Sequence, residues 1–308
     1  MSIIAILGIA SEIEHLCGQL DAATPETTPV GTFWQGCWAG QKVILARCAV
    51  GKINAAMALQ WLVDHHSPDV LLNCGSAGAI APQLRVGDVV IADRVVPYDV
   101  GVFLQRGYVI TGNELPGCRS THWRVFPADP RLVRLAREAA EGIDSSRPRG
   151  LMADSSVHRF AAGPGGPARA DGGSRSLCRV WVGPIASGDQ VVFADRPKRW
   201  LYQTCGALAV ENEGAALAQV ATAHGLPWLV LRGISDTADA AAAFDYSRLL
   251  RYADEGCGPL AWLRFQARRL IYLLCHPDTR TRWRRFDAGV RLVNANLTAL
   301  LQCLLPSL

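Results

Sequence analysis

The 308-residue sequence predicts a layered α/β fold followed by a helical C-terminal segment. Short apolar runs bounded by Gly, Asp or Asn recur, and they alternate with longer stretches of helical period. Half of the residues are hydrophobic and only 19% charged, enough apolar material for one large core. From Pro259 onward the strand-like runs stop and two amphipathic helical patterns take over.

Taken in order, the apolar runs at 2–7, 42–48, 70–74, 88–96, 180–186, 207–210 and 228–233 are each too short for a stable helix and read as buried strands. Helical spacing places helices at 12–19, 53–65, 130–141, 196–204, 214–224 and 246–253. Residues 142–179, with GPGGPARADGGSR at their centre, are too rich in Gly, Pro and Ser to bury a core and read as a flexible insertion. The strand and helix alternation resumes after it, so a single domain is expected over 1–255, with a helical extension over 256–308. In the last helix Trp283, Phe286, Val290, Val293, Leu297, Leu300 and Leu304 recur at steps of three and four, forming one apolar seam. That seam docks on the chain's own domain or on another subunit.

The net charge of +4 is too small to argue for nucleic acid by itself. Only the C-terminal segment clusters its arginines, which read as a solvated face, with nucleic-acid or membrane contact as the alternative. The ten cysteines form no CxxC pair and stand near no His at zinc-ligand spacing, so no metal and no cofactor is expected. Several lie inside apolar runs as small hydrophobes, which points to a reducing cytoplasm. The start, MSIIAILGIASEIEHL, lacks the basic region and cleavage site of a secretory signal. No stretch approaches the roughly 20 continuous apolar residues of a membrane span, so no membrane partner is expected.

Four segments share a design in which an apolar strand runs into a polar or Gly-rich turn, the place where open α/β sheets hold ligands. They are AILGIASE, LLNCGSAG, LAVENEGAA and WLVLRGISDTAD. The first, third and fourth carry Glu12, Glu211, Glu213 and Asp236, and the small residues of GSAG let a backbone approach a ligand. Each acid also has a plainer reading: Glu12 as a helix N-terminal acid, Asp236 as an N-cap, and Glu211 and Glu213 as solvated turn acids.

Those turns, together with GK in AVGKINAA, PDVLLNCGSAGAIAPQLRVGDVVIAD, ELPG, FPADPRL, IASGDQ and LPWLVLRGISDTAD, carry a family likeness. The sequence resembles the nucleoside phosphorylase and nucleosidase superfamily, and most closely the 5'-methylthioadenosine/S-adenosylhomocysteine nucleosidases. The likeness runs over residues 3–253 apart from the insertion. It implies a three-layer α/β/α sandwich with a central mixed, partly barrel-like sheet, and a homodimer. It also implies an enzyme that releases the base from a purine nucleoside with water as co-substrate. Departure of a purine leaves positive charge on the ribose and negative charge on the base, which calls for anions near the sugar and a proton donor near the base.

Carried over by motif, the resemblance gives Glu12 the activation of water and Asp236 the protonation of N7. Glu213 falls where the family binds the ribose hydroxyls. Ser76 and Arg232 match positions bordering water and ribose, and Ser235 matches the serine that supports the aspartate. Gly78, Glu211 and Phe244 complete the expected substrate-binding set with three departures from the family pattern. Asn212 replaces the Met of a VEMEG turn. Val191 stands where many members stack an aromatic on the purine, a role that Phe193 could take. Arg106 occupies a region usually lined by aromatics, and there it could favour a polar or anionic 5'-substituent.

Phosphorolysis is the runner-up chemistry, since the same fold serves it. The phosphorylase branch places an Arg just before GS(A/C)G to hold the phosphate dianion, and here Asn73 and Cys74 stand at that flank. A non-catalytic nucleoside-binding or interaction module, with the Arg-rich tail as its working surface, is the third reading.

Overall fold

A computed structural model describes residues 2–105, 107–115, 124–145, 157–161, 177–238 and 259–308. At its centre β1 (Ile3–Ile9) runs parallel to both β4 (Gln41–Cys48) and β5 (Val70–Ala79). These are the continuous apolar runs of the sequence, and both faces of each are covered. β5 pairs in parallel with β13 (Trp228–Asp236), β13 antiparallel with β6 (Val89–Pro97), and β6 in parallel with β11 (Leu177–Ser187). The three-residue β12 (Ala209–Glu211) then bridges β11 back to β5. Five strands thus close into a ring, and β1 and β4 lead away from it as an open sheet. The mixed, partly barrel-like sheet is the expected one.

Helices cover this sheet. α2 (Lys52–His66) packs against α5 (Gly214–Ala223), while α3 (Pro130–Ser145) packs against the long C-terminal helix α7 (Pro277–Leu304). α4 (Asp195–Cys205) lies against β11, and α6 (Pro259–Cys275) precedes α7. α7 lies along β13, where Val293, Leu297, Leu300 and Leu304 are buried in the main core. The seam therefore docks on its own chain. Segment 277–307 is, against expectation, long and apolar enough to cross a membrane, yet half of its apolar window is buried within the fold.

Several elements depart from expectation for identifiable reasons. The helix expected at 12–19 is a short α1 (Ala10–Ile13) followed by a 3-10 turn over Glu14–Gln19. β2 (Asp21–Thr28) and β3 (Gly31–Trp38) extend the open sheet beyond β4. β2 is a polar, largely exposed edge strand carrying Pro25, so it has neither apolar run nor clean alternation. β7 (Gly101–Leu104) and β8 (Gly107–Ile110) form a separate exposed hairpin, and β9 (Phe126–Pro127) is a two-residue pairing on β6. Within the expected insertion α3 continues to Ser145, and β10 (Val157–Ala161) adds antiparallel to β11. The helix expected at 246–253 lies outside the described residues.

Candidate active site

The ends of β1, β5, β12 and β13 meet at one edge of the ring. The pairing register explains why: Leu7 aligns with Asn73, Arg232 with Gly75, and Val210 with Gly78. Between Ile234 and Asp236 the β13–β5 register shifts. Such a bulge re-aims the side chains around it, and Asp236 follows immediately. The apolar run ends at 233, but the strand's pairing continues and carries Asp236 to the site.

Glu12 sits at the third position of α1 and is buried. Its Oε2 accepts the Ile9 backbone N–H at 3.1 Å, so the helix N-terminal reading holds. Its Oε1 accepts both the Ser76 backbone N–H at 2.7 Å and the Ser76 hydroxyl at 2.8 Å. The close approach needs glycine at two places. A Cβ on Gly75 would stand 2.4 Å from Glu12 Oε2, and one on Gly8 would stand 2.5 Å from the Cys74 carbonyl oxygen.

Glu211 and Glu213 are buried beside it. The Glu211 carboxylate accepts the backbone N–H groups of Glu213 at 2.9 Å and Gly214 at 2.8 Å, satisfying the open N-terminus of α5. Ser187 Oγ takes the next amide, that of Ala215, at 2.8 Å. Glu213 Oε1 accepts the Gly51 N–H at 3.0 Å, which ties the GK turn to the site. Asp236 is held by the Ser235 hydroxyl at 2.9 Å and the Ala238 N–H at 2.8 Å.

Arg232 lies beneath these acids, fully buried. It pairs with Glu211, with Glu213 at 3.3 Å and with Glu12 at 3.7 Å, and it donates to Asn73 Oδ1 at 2.7 Å. Burial works to lower its pKa, but the carboxylates of Glu211, Glu12 and Glu213 outweigh that and hold it charged. Three carboxylates thus share one guanidinium. Burial pushes the Glu213 carboxyl up to about 7; Arg232 opposes this, and Glu211 and Glu12 reinforce it. Burial likewise pushes the Cys48 and Cys74 thiols up to about 12, so neither serves as a thiolate nucleophile near neutrality.

These groups border a cavity of about 320 Å³, of a size suited to a small organic ligand. Glu12, Ser76, Gly78, Glu211, Asn212, Glu213, Ser235, Asp236 and Val191 all line it. Arg232 does not: it is the charged floor under the wall, and it orders the acids from behind. Asn212 spends its amide on the Gly188 carbonyl at 2.5 Å, and Val191 is 57% exposed at the rim. Arg106 and Phe244 lie outside the described residues.

α7 also contributes to the site, beyond what its seam pattern announces. Trp283, Phe286, Asp287 and Val290 line the cavity, and Trp283 and Phe286 cluster with Phe193 and Tyr272. The apolar seam was visible, but its first turns face the pocket and only its later turns face the sheet. Among the described residues, no Lys or Arg lines the cavity. Lys52, nearby in the GK turn, is held by Asp99 at 2.7 Å and Asp189 at 3.9 Å.

A ring-closed α/β sheet whose strand ends gather buried carboxylates around one cavity has the form of a small-ligand enzyme site. The chain belongs to the phosphorylase superfamily, whose family model matches residues 2–249. Among its relatives, the 5'-methylthioadenosine/S-adenosylhomocysteine nucleosidase of Mycobacterium bovis is 30% identical over 80% of this chain and 89% of its own length. The enzyme of the same name from Anoxybacillus flavithermus is 34% identical over 81% and 92%. The Neisseria meningitidis nucleosidase, solved with methylthio-immucillin-A, superposes with a TM-score of 0.67 at 23% identity, covering 100% of both chains.

Proposed function

We propose that this protein hydrolyses the N-glycosidic bond of 5'-methylthioadenosine or S-adenosylhomocysteine, releasing adenine and the 5'-substituted ribose. The observation that carries the reading is the set of buried carboxylates around a cavity whose lining, among the described residues, includes no Lys or Arg. Anions there stabilise an oxocarbenium-like ribose and repel a phosphate dianion, so water is the favoured nucleophile. The names of the relatives supply the substrate class.

In the proposed reaction Glu12, steadied by Ser76, takes a proton from water as its oxygen bonds to C1'. Glu213 accepts hydrogen bonds from the ribose hydroxyls. Asp236, oriented by Ser235, delivers its proton to N7 as the C1'–N9 bond breaks, so the base leaves neutral. The two acids then re-equilibrate with solvent. Phe193, Trp283 and Phe286 offer apolar surface to the base and the 5'-group.

The working unit is proposed to be a homodimer. Ile53 and Met57, exposed at 74% and 50% near the start of α2, adjoin Val50 at the pocket rim and form an apolar patch suited to a second copy.

Free-base release from a panel of purine nucleosides, with and without phosphate, tests the reaction. Adenine is expected from methylthioadenosine and adenosylhomocysteine at a rate that phosphate does not change. Release that requires phosphate would establish phosphorolysis, and no release from any purine nucleoside would overturn the assignment.

A further inference from the structure

Four apolar side chains of α6 face outward. Leu263, Leu270, Ile271 and Leu274 are 56–61% exposed, while Tyr272 is buried against the Phe193, Trp283 and Phe286 cluster beside the cavity. At about 100° per residue these four side chains share one stripe, roughly opposite Tyr272. Among the described side chains of α6, Tyr272 and Leu273 pack inward while three leucines and an isoleucine face solvent, the reverse of an ordinary surface helix.

The charge around the stripe is as uneven as its polarity. Between residues 259 and 286 there are seven arginines and one acid, Asp278. That segment therefore carries +6 in a chain of net +4, which leaves −2 for all the rest. Arg264, beside Leu263, and Arg284 and Arg285 on the adjoining turns of α7 are exposed.

We propose that α6 lies in the surface of an anionic phospholipid bilayer, with its leucine stripe among the upper acyl chains and the arginines on the headgroups. At 17 residues the helix is shorter than the roughly 20 needed to span, which suits it to lie flat. Acyl chains accept the stripe and lipid phosphates accept the guanidiniums, so a single partner satisfies both features. A second copy of the chain would bring arginines against arginines. Nucleic acid would meet the charge but leave four aliphatic side chains in water. Docked this way, the mouth of the cavity stands next to the membrane surface.

Cosedimentation of the full-length protein with vesicles tests the docking. One set holds equal parts phosphatidylglycerol and phosphatidylcholine, the other phosphatidylcholine alone. Binding is expected to the anionic set, to weaken with added salt, and to fall about tenfold or more in Leu270→Glu/Leu274→Glu. Base release from a soluble nucleoside should be retained in that variant, which shows that it is folded; the milder Leu274→Gln reads the same loss if it is not. Absence of binding to anionic vesicles, or binding unaltered in both variants, overturns the proposal. So does a self-association of the wild type that Leu270→Glu/Leu274→Glu abolishes without any vesicle binding.

Discussion

Glu213 shows how function and stability oppose each other at a single residue. Its carboxyl is raised from 4.5 to about 7, chiefly by burial. The folded state therefore holds a proton that the unfolded chain releases between those values. Stability falls as pH rises through that window, and the full penalty, on the order of 3 kcal/mol, stands above it. Glu213→Gln should raise the melting temperature well above neutrality and change it little below about pH 4.5, while base release is lost. Thermal melts of both proteins across that range check the sign. Asp236 behaves differently because its proton matters only as the bond breaks. Asp236→Asn should lower kcat by about a hundredfold or more while a substrate analogue still binds. Equal losses of binding and turnover would count against its role as the acid.

Among the elements, α7 couples the core to the site. A Cβ on Gly289 would stand 2.3 Å from the Ser235 carbonyl oxygen, at the bulge that aims Asp236. Gly289→Ala must push helix and bulge apart, and about 1–3 kcal/mol of stability should be lost. Turnover should fall with it, since Asp236 moves although no cavity-lining side chain has been changed; chemical denaturation and kcat measured together check both effects. The strands that form the site were legible because each is a continuous apolar run ending in a turn of small or acidic residues, and Glu12, Ser76, Glu213 and Asp236 could be picked from those turns. β2 and the β7–β8 hairpin were not legible, because exposed edge pairing leaves little hydrophobic pattern. Trp283 and Phe286 were seen as parts of a seam. Their place on the cavity wall depends on where α7 crosses β13, which periodicity does not encode.

For the molecule as a whole, the distribution of charge and exposed apolar surface sets how it meets other bodies. The patch of Val50, Ile53 and Met57 lies beside the cavity, so assembly and catalysis share an edge. Ile53→Glu should convert the proposed dimer to a monomer and weaken substrate binding, as read by size exclusion and KM; an unchanged elution volume would remove that patch as the interface. The reason hydrolysis rather than phosphorolysis is expected also belongs to this scale. The buried cation, Arg232, is surrounded by acids, and Lys52 is held by two aspartates. This wiring was only half visible in sequence, where Asn73 and Cys74 marked a missing arginine but nothing announced that Asp99 and Asp189 would claim Lys52.

The three residues of β12 close the ring only after β5 and β11 are in place, and these strands are far apart in the chain. Contacts of such long sequence separation must overcome most of the loop-closure entropy before they return any stability. Refolding should therefore be slow, and catalysis should reappear in step with the last cooperative event rather than with early helix formation. No partly folded form would hold a working site, because Glu211 and Glu213 are positioned by the very strand that completes the circle.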